Sequence, residues 1–438
     1  MTMRLFVTLT ALLSLTAASG RSLVDMQLDS LKSSHKIVYL NGSPGQRDTM
    51  QAYSDSIKTL INNFYYDQFR HFQDPAAPYF LFMSKDAKLA MGIGGCVRMR
   101  GWYDWGGAIP ANGFTPYLIQ MTPDPTNKRH LGTTPAGTSI FYRVIGRDKR
   151  WGNYQLYIEA NFDGYNGVGF KLKKAYGIIN DWTIGYANST FSDPAAEPPT
   201  VDASGPNNKV SPTNVLVRWM HGFRHGITVA ASLETPSTAI SATPDVTKKV
   251  SEWLPDVAAF VQYGWNESEH IRLAGILRTL SYRDLPAATN HTKLGWGLQI
   301  SSVWHPLPAW TTYLSLNGGQ GYESLGGDLQ VGAYDLVPTP GKEGEMYAPG
   351  ALGWNVGVQY NITPAMFVSA NYSQSRYLPR SGSAPDEYKY GQVIAVNYFW
   401  NLTARIQTGV ELDLGMRKNM SGATKWAHRA GLMAQFSF

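Results

Sequence analysis

Leu402-Thr-Ala-Arg-Ile-Gln-Thr-Gly-Val-Glu-Leu-Asp-Leu-Gly-Met-Arg417, followed after a short polar turn by Trp426-Ala-His-Arg-Ala-Gly-Leu-Met-Ala-Gln-Phe-Ser-Phe438, decides the fold. In the first run Leu402, Ala404, Ile406, Thr408, Val410, Leu412 and Leu414 share one parity, and Arg405, Gln407, Gly409, Glu411, Asp413, Gly415 and Arg417 share the other. In the second, Trp426, His428, Ala430, Leu432, Ala434, Phe436 and Phe438 oppose Arg429, Gly431, Met433, Gln435 and Ser437. A period of two is a strand with one apolar and one polar face. Each run is roughly 15 residues, whereas strands of soluble proteins are commonly ~5 to 6 and a tilted strand crosses a bilayer in ~9 to 11. Ionised groups such as Glu411 and Asp413 cannot face a dry core without partners, so that face is expected to line water and the other to meet lipid. The hairpin predicts an all-β chain forming a transmembrane antiparallel β-barrel, the strand architecture that leaves no unpaired edge in hydrocarbon.

At the other end of the chain, Met1 to Arg4 carries one positive charge, Leu5 to Leu15 is apolar, and Thr16 to Gly20 are small. That is the pattern of a secretory signal peptide over residues 1–20. Beyond it no apolar run approaches the ~20 residues of a spanning helix, and the mean hydropathy is -0.24. Aromatic residues at 13% and 43 glycines suit strands and tight turns. The single cysteine, Cys96, excludes an internal disulfide. A net charge of +6, with Lys and Arg spread over many strands, argues against a nucleic-acid partner and for a lining that attracts anions.

Residues 21–86 are expected to be a leader and a helical segment on the periplasmic side. Gly42-Ser43-Pro44-Gly45 closes the leader, and Met50, Tyr53, Ile57, Leu60 and Phe64 recur at three and four. The helix is predicted from Gln46 to about Phe72, ended by Asp74-Pro75 and Ala77-Pro78. The barrel is predicted over 87–438. Leu89, Met91, Ile93, Val97 and Met99 take its lipid parity, and further alternating runs follow to the final hairpin, for about 16 strands in all. Short links (Asp148 to Gly152, Asn180-Asp181, Gly222-Phe223, Asn266 to Ser268, His305 to Pro308, Ile362-Thr363, Asn401) alternate with mostly longer ones, including 105–137, 193–211, 236–253 and 321–349. Short periplasmic turns and long outer loops are the habit of outer-membrane barrels. Trp182, Tyr186, Trp219, Tyr263, Trp265, Trp296, Trp354, Tyr360, Tyr398, Trp400 and Trp426 lie near strand ends with outward parity, as headgroup-level girdles do.

The third long loop, Ser192 to Ser211, is stiffened by prolines and carries Asp193, Glu197 and Asp202. It is expected either to fold inward and narrow a pore or to remain a solvated surface loop. Phe-Tyr-Tyr-Asp-Gln-Phe-Arg at 64–70, Asp-Pro-Ala-Ala-Pro-Tyr-Phe-Leu-Phe at 74–82, Gly-Ile-Gly-Gly at 92–95 followed by Arg98, and the stretch from Asp202 to Asn207 with its Gly205-Pro206 pair resemble the DcaP-like outer-membrane porins, especially those of Bacteroidetes. The resemblance covers essentially the whole chain after the signal peptide. It implies a homotrimer of sixteen-stranded barrels in the outer membrane of a Gram-negative bacterium, an inward-folded third loop, and passive passage of small anionic solutes such as dicarboxylates. Outer-membrane lipid and lipopolysaccharide are the expected surroundings.

Parity supplies a charge account of that preference. Arg98, Arg100, Lys171, Lys173, Arg218, Arg272, Arg278, Arg405, Arg417 and Arg429 are expected to point inward, against Glu159, Asp163, Glu234, Asp256, Glu411 and Asp413. Rings of Arg or Lys favour anions, and a guanidinium can hold a carboxylate through two parallel bonds. Some of these cations are instead expected to pair with lumenal acids and brace the wall. Arg98 and Arg100 are the preferred solute contacts, two arginines on one face ~7 Å apart. The nine histidines are scattered without ligand spacing, so neither a metal nor a cofactor is expected. An enzyme is not expected either, because no Ser-His pair shares a face. The competing readings are a non-conducting adhesin or structural barrel, which a filled lumen would favour, and an outer-membrane barrel enzyme such as a lipase or protease.

Overall fold

The computed structural model describes residues 36–39, 68–74, 80–84 and 88–438, except 108, 110, 123, 149, 267, 381 and 382. The signal peptide expected over 1–20 and the predicted helix as far as residue 67 lie outside the described residues. The remainder of that predicted helix, 68–72, forms turns and bends.

Sixteen strands close into one antiparallel barrel: β1 (Leu89–Trp105), β2 (Ser139–Asp148), β3 (Gly152–Phe162), β4 (Phe170–Ile179), β5 (Trp182–Asn188), β6 (Thr213–Gly222), β7 (Ile227–Glu234), β8 (Asp256–Gly264), β9 (His270–Asp284), β10 (Thr289–Leu307), β11 (Trp310–Gln320), β12 (Gly350–Thr363), β13 (Met366–Leu378), β14 (Tyr388–Asn401), β15 (Ile406–Asn419) and β16 (Thr424–Ser437). Each pairs with its sequence neighbours, and β16 closes on β1 from His428 opposite Trp105 to Ser437 opposite Cys96. Where β16 ends, the short strand Phe80–Met83 continues along the β1 edge, with Phe80 opposite Ile93. Closure leaves no strand edge open to lipid, which is what hydrocarbon demands of a β structure.

The alternation of the last hairpin sorts its side chains as a barrel wall must. Val410, Leu412 and Leu432 are exposed on the outside, while Glu411, Asp413 and Arg429 are buried inside. Girdle residues Trp182, Tyr263, Trp265, Trp296, Trp400 and Trp426 are exposed on the outer surface. Such a barrel, apolar without and polar within, is an outer-membrane architecture. The wall is uneven in height. β5 and β7 have 7 and 8 residues, whereas β9 and β10 have 15 and 19.

The inward face does not line water through most of its height, contrary to the sequence expectation. Glu411, Asp413 and Arg429 are 5%, 2% and 1% exposed. The reason is that the loops after β1, β5 and β11 fold into the lumen, and residues 68–74 enter it as well. Phe69, Phe191, Tyr322, Leu325, Leu329 and Tyr334 from these segments join Phe260, Tyr377 and Tyr388 of the wall in one apolar cluster inside the barrel. Two glycines mark where the third loop presses on the wall. A Cβ at Gly357 would stand 2.6 Å from Pro198 Cβ, and one at Gly409 would stand 2.8 Å from Val201 Cγ2.

Candidate functional site

The third loop is bonded across the lumen from one wall to the other. Asp193 accepts from Ser301 Oγ at 2.5 Å and lies 2.9 Å from His270 Nε2 and 3.5 Å from Arg272 Nη1, on β9 and β10. On the far side Ser369 Oγ donates to Pro199 O at 2.7 Å, and the Val201 N–H donates to Asn397 Oδ1 at 3.0 Å, on β13 and β14. The Val201 and Asp202 amides both donate to the Glu411 carboxylate on β15. Asp202 Oδ2 then meets Arg429 Nη1 at 3.1 Å on β16. Burial alone would raise the Asp193 carboxyl, but Arg272 and His270 hold it below the ordinary carboxylate range.

Residues 68–74 cross the same space. Phe69 lies under the Arg218 guanidinium at 4.0 Å and edge-on to Phe260. Phe72 packs edge-on to Phe367 and Phe399, with ring centroids 5.7 and 5.2 Å away. Gln73 Nε2 donates to the carbonyls of Thr200 and Asp202 in the third loop. Asp74 accepts from Lys173 Nζ at 2.6 Å and from Lys174 Nζ at 3.2 Å. Burial would raise the Asp74 carboxyl, but these two ammonium groups hold it well below the usual range. In seven residues the segment touches β6, β8, β13, β14 and β4, which is why it fills the lumen instead of resting on the barrel floor.

The expected site residues divide by what holds them. Arg272 pairs with Asp193, Arg278 with Asp256 and Asp335, and Arg429 with Asp104 and Asp202, so these three brace the loops against the wall. Lys173 is shared between Asp74 and Glu159, and Glu197 meets Lys209 and His71. Arg218 donates to the Asn188 carbonyl. Lys171 is exposed near the end of β4. Arg405 is a correction: it lies in the turn between β14 and β15, not on a strand, with its N–H donating to Thr403 Oγ1. The alternation of the sequence simply continues past the strand end there.

Arg98, Arg100 and Arg417 have no carboxylate within ion-pair distance among the described residues. Arg98 Nη2 donates to the Gln73 carbonyl at 2.5 Å and to Gln435 Oε1 at 2.6 Å. Arg100 Nη2 donates to the Ala136 carbonyl at 3.0 Å, and Nη1 to the Val201 carbonyl at 3.5 Å. Arg417 donates to the Tyr117 carbonyl and to Asn419 Oδ1. All three guanidinium groups are held by neutral oxygens, each by at least one carbonyl of a segment that has folded into the pore. A narrow cavity beside Arg100 is lined by Trp102, Asn112, Asp202, Glu411, Asp413 and Arg429.

Several participants were not singled out in the sequence. Lys174 points inward beside Lys173 because a bulge in β4 places both opposite the Glu159–Ala160 step of β3. Arg143 is buried, its guanidinium 5.5 Å over the Tyr157 ring. Asp104, Asp328 and Asp335 are buried in or beside the loops after β1 (106–138) and β11 (321–349), the first and sixth on that side of the barrel. The signal for the loops was present: Ile109, Phe114, Ile119, Leu325, Leu329 and Leu336 are too apolar for a solvated link.

No family model matches the chain, and no curated protein matches it. Among solved structures, the outer-membrane channel DcaP of Acinetobacter baumannii superposes with a TM-score of 0.67 at 21% identity, covering 82% of this chain and 99% of that one. The fold is that of a DcaP-like porin. OmpT of Vibrio cholerae in its trimer form (TM-score 0.49, 8% identity, 80% of this chain and 99% of that one) and OprB of Pseudomonas putida (0.47, 10%, 79% and 94%) are more distant. Within the DcaP-like fold of this chain, the described lumen is crossed by the third loop and by residues 68–74, and the three carboxylate-free arginines sit against these crossings or the first loop.

Proposed function

We propose that the chain is an outer-membrane porin for passive diffusion of small hydrophilic solutes, preferentially anionic and dicarboxylate-like. The observation that carries this reading is the pair Arg98 and Arg100, two arginines of one inward face whose charges meet only carbonyl and amide oxygens among the described residues. A carboxylate can take a guanidinium through two parallel bonds between opposite charges, which a single carbonyl oxygen cannot offer. An entering dicarboxylate therefore competes with the carbonyls of Gln73 and Val201 for these groups, and weak exchange of this kind suits conduction. Trimeric assembly belongs to the same proposal. It is supported by the short wall, where β3, β5, β6 and β7 expose Leu156, Ile158, Ile184, Val215, Val217 and Leu233.

The filled lumen favours a second reading, a closed structural barrel. One experiment separates the two: single-channel conductance in a planar bilayer, with reversal potential under a salt gradient, on the full chain and on Arg98→Ala/Arg100→Ala. Stepwise openings with anion preference, weakened in the double variant, support the porin. A folded barrel that never conducts, even when residues 68–74 are deleted, overturns it in favour of the structural barrel.

A further inference from the structure

The outer wall carries a polar group of side chains on β12 to β15 where lipid is expected. On β12 to β15 the row Leu352, Arg376, Tyr390 and Lys418 lies side by side, as does the row below it, Trp354, Gln374, Gln392 and Met416. The inward parity on β13 belongs to Asn371, Ser373, Ser375 and Tyr377, the last of which stacks on Tyr334 of the sixth loop, so Gln374 and Arg376 face out. The Arg376 guanidinium lies over two rings, 4.8 Å from Tyr390 and 5.5 Å from Trp354, and Lys418 Nζ is 5.8 Å from the Tyr390 ring. Beneath them Gln374 Nε2 donates to Tyr372 Oη at 3.1 Å and to Gln392 Oε1 at 3.2 Å, and Arg376 Nε donates to Gln374 Oε1. Lys389 is exposed beside Tyr390 at a bulge of β14.

Charge and depth together identify the occupant. Among the described residues no carboxylate lies within ion-pair distance of Arg376, Lys389 or Lys418, although Asp386 and Glu387 stand in the adjoining loop. A tilted strand gains about 2.5 Å of height per residue. From the lower girdle at Tyr398 and Trp400 to Tyr390 is therefore ~20 to 25 Å, the upper edge of an apolar band ~25 Å tall. The long loops place this edge outside the cell. The cations thus sit at the headgroups of the outer leaflet, and the glutamines ~5 Å deeper, where acyl amide and ester carbonyls begin. Unsatisfied polar groups at that depth cost several kcal/mol, and the glutamine–tyrosine bonds keep these satisfied while leaving the cations unneutralised. We propose that Arg376, Lys389 and Lys418 bind the phosphates of a lipid A headgroup, with Gln392 beneath them toward the acyl carbonyls and the buried Gln374 holding Arg376 and Gln392 in place.

The test is native mass spectrometry of the purified, delipidated full-length protein titrated with lipid A, dephosphorylated lipid A or inorganic phosphate. Arg376→Ala/Lys418→Ala is compared with wild type, with heat-modifiable gel mobility as the check of folding. Lys418→Ala alone is a second variant that keeps Arg376 between its rings. The expected result is retention of lipid A by wild type, at least about tenfold weaker in the double variant, intermediate in the single variant, and lost on dephosphorylation. Equal binding of dephosphorylated lipid A, inorganic phosphate binding as tightly as lipid A, or undiminished binding by the folded double variant would overturn the proposal. So would loss of an oligomer on substitution, which would assign the patch to a second copy of the chain.

Discussion

Replacing Asp74 with alanine should loosen the segment that crosses the lumen. Among the described residues, its bonds to Lys173 at 2.6 Å and Lys174 at 3.2 Å are the ion pairs that tie 68–74 to the barrel wall. Removing one partner of a buried pair costs ~3 to 5 kcal/mol, chiefly by leaving a charge uncompensated. Lys173 is 29% exposed and keeps Glu159 at 2.9 Å, so about half of that, ~2 kcal/mol, is expected. At ~1.4 kcal/mol per decade this is roughly a thirtyfold shift toward the released segment. Release is partial, because Phe72 between Phe367 and Phe399 and Phe69 under Arg218 still hold it. The assay is single-channel recording, in which the occupancy of the larger conductance level should rise in Asp74→Ala. Because the Asp74 carboxyl is held below its usual range, its contribution is complete above about pH 4 and is lost only as pH falls through the lowered value. Mild acid should therefore not mimic the substitution. Wild-type openings in a folded Asp74→Ala barrel would refute the assignment of 68–74 as the element that closes the pore.

The sixth loop should respond to pH in the opposite sense. Burial pushes the Asp328 carboxyl up to about 6, and burial with Asp335 nearby pushes Glu323 well above its ordinary value. Protonation of both is favoured in the closed loop over the open one, so closure is strongest at acid pH and weakens as pH rises from about 4 through 6, by ~3 kcal/mol for Asp328 alone. Open probability should fall as pH drops from about 6 to 4, and Asp328→Asn should flatten that dependence; an unchanged pH profile in the variant contradicts this. Asp193→Ala removes the carboxylate that Arg272, His270 and Ser301 share, at a cost of about 3 kcal/mol, and should expose the third loop to trypsin at Lys209 while the barrel stays folded. Limited proteolysis followed by mass measurement reads this directly, and an uncut loop would count against the Asp193 anchor. Gly357→Leu places a side chain where Pro198 sits and should raise conductance or its noise by lifting the third loop; a quiet, wild-type channel would show that the loop does not press there.

How far the chain could be read follows from what a period-two pattern reports. In β15 and β16 each parity names a face, and closure then follows from the rule that no edge is left in lipid, so strand order and outward girdles were legible. Parity says that Arg272, Arg278 and Arg429 point inward, but not what they meet. Their partners Asp193, Asp335 and Asp202 come from loops far away in the chain, and no spacing rule connects them. The same blindness hid residues 68–74: the helix expected to about Phe72 would have included Phe69 and Phe72, yet they are held by rings on β8, β13 and β14. One clue was available without coordinates. Gly357 and Gly409 fall on the inward parity, where a strand facing water has no need to lack a side chain. An inward glycine opposite a proline-rich loop with buried-type residues in the neighbouring loops indicates close approach of backbone, and close approach in a lumen means that the lumen is occupied. On the proposed porin reading, the charges that matter for passage are not the most numerous inward cations. They are those whose partners can leave, and Arg98 and Arg100 are held by carbonyls of Gln73 and Val201, on the two segments that cross the pore.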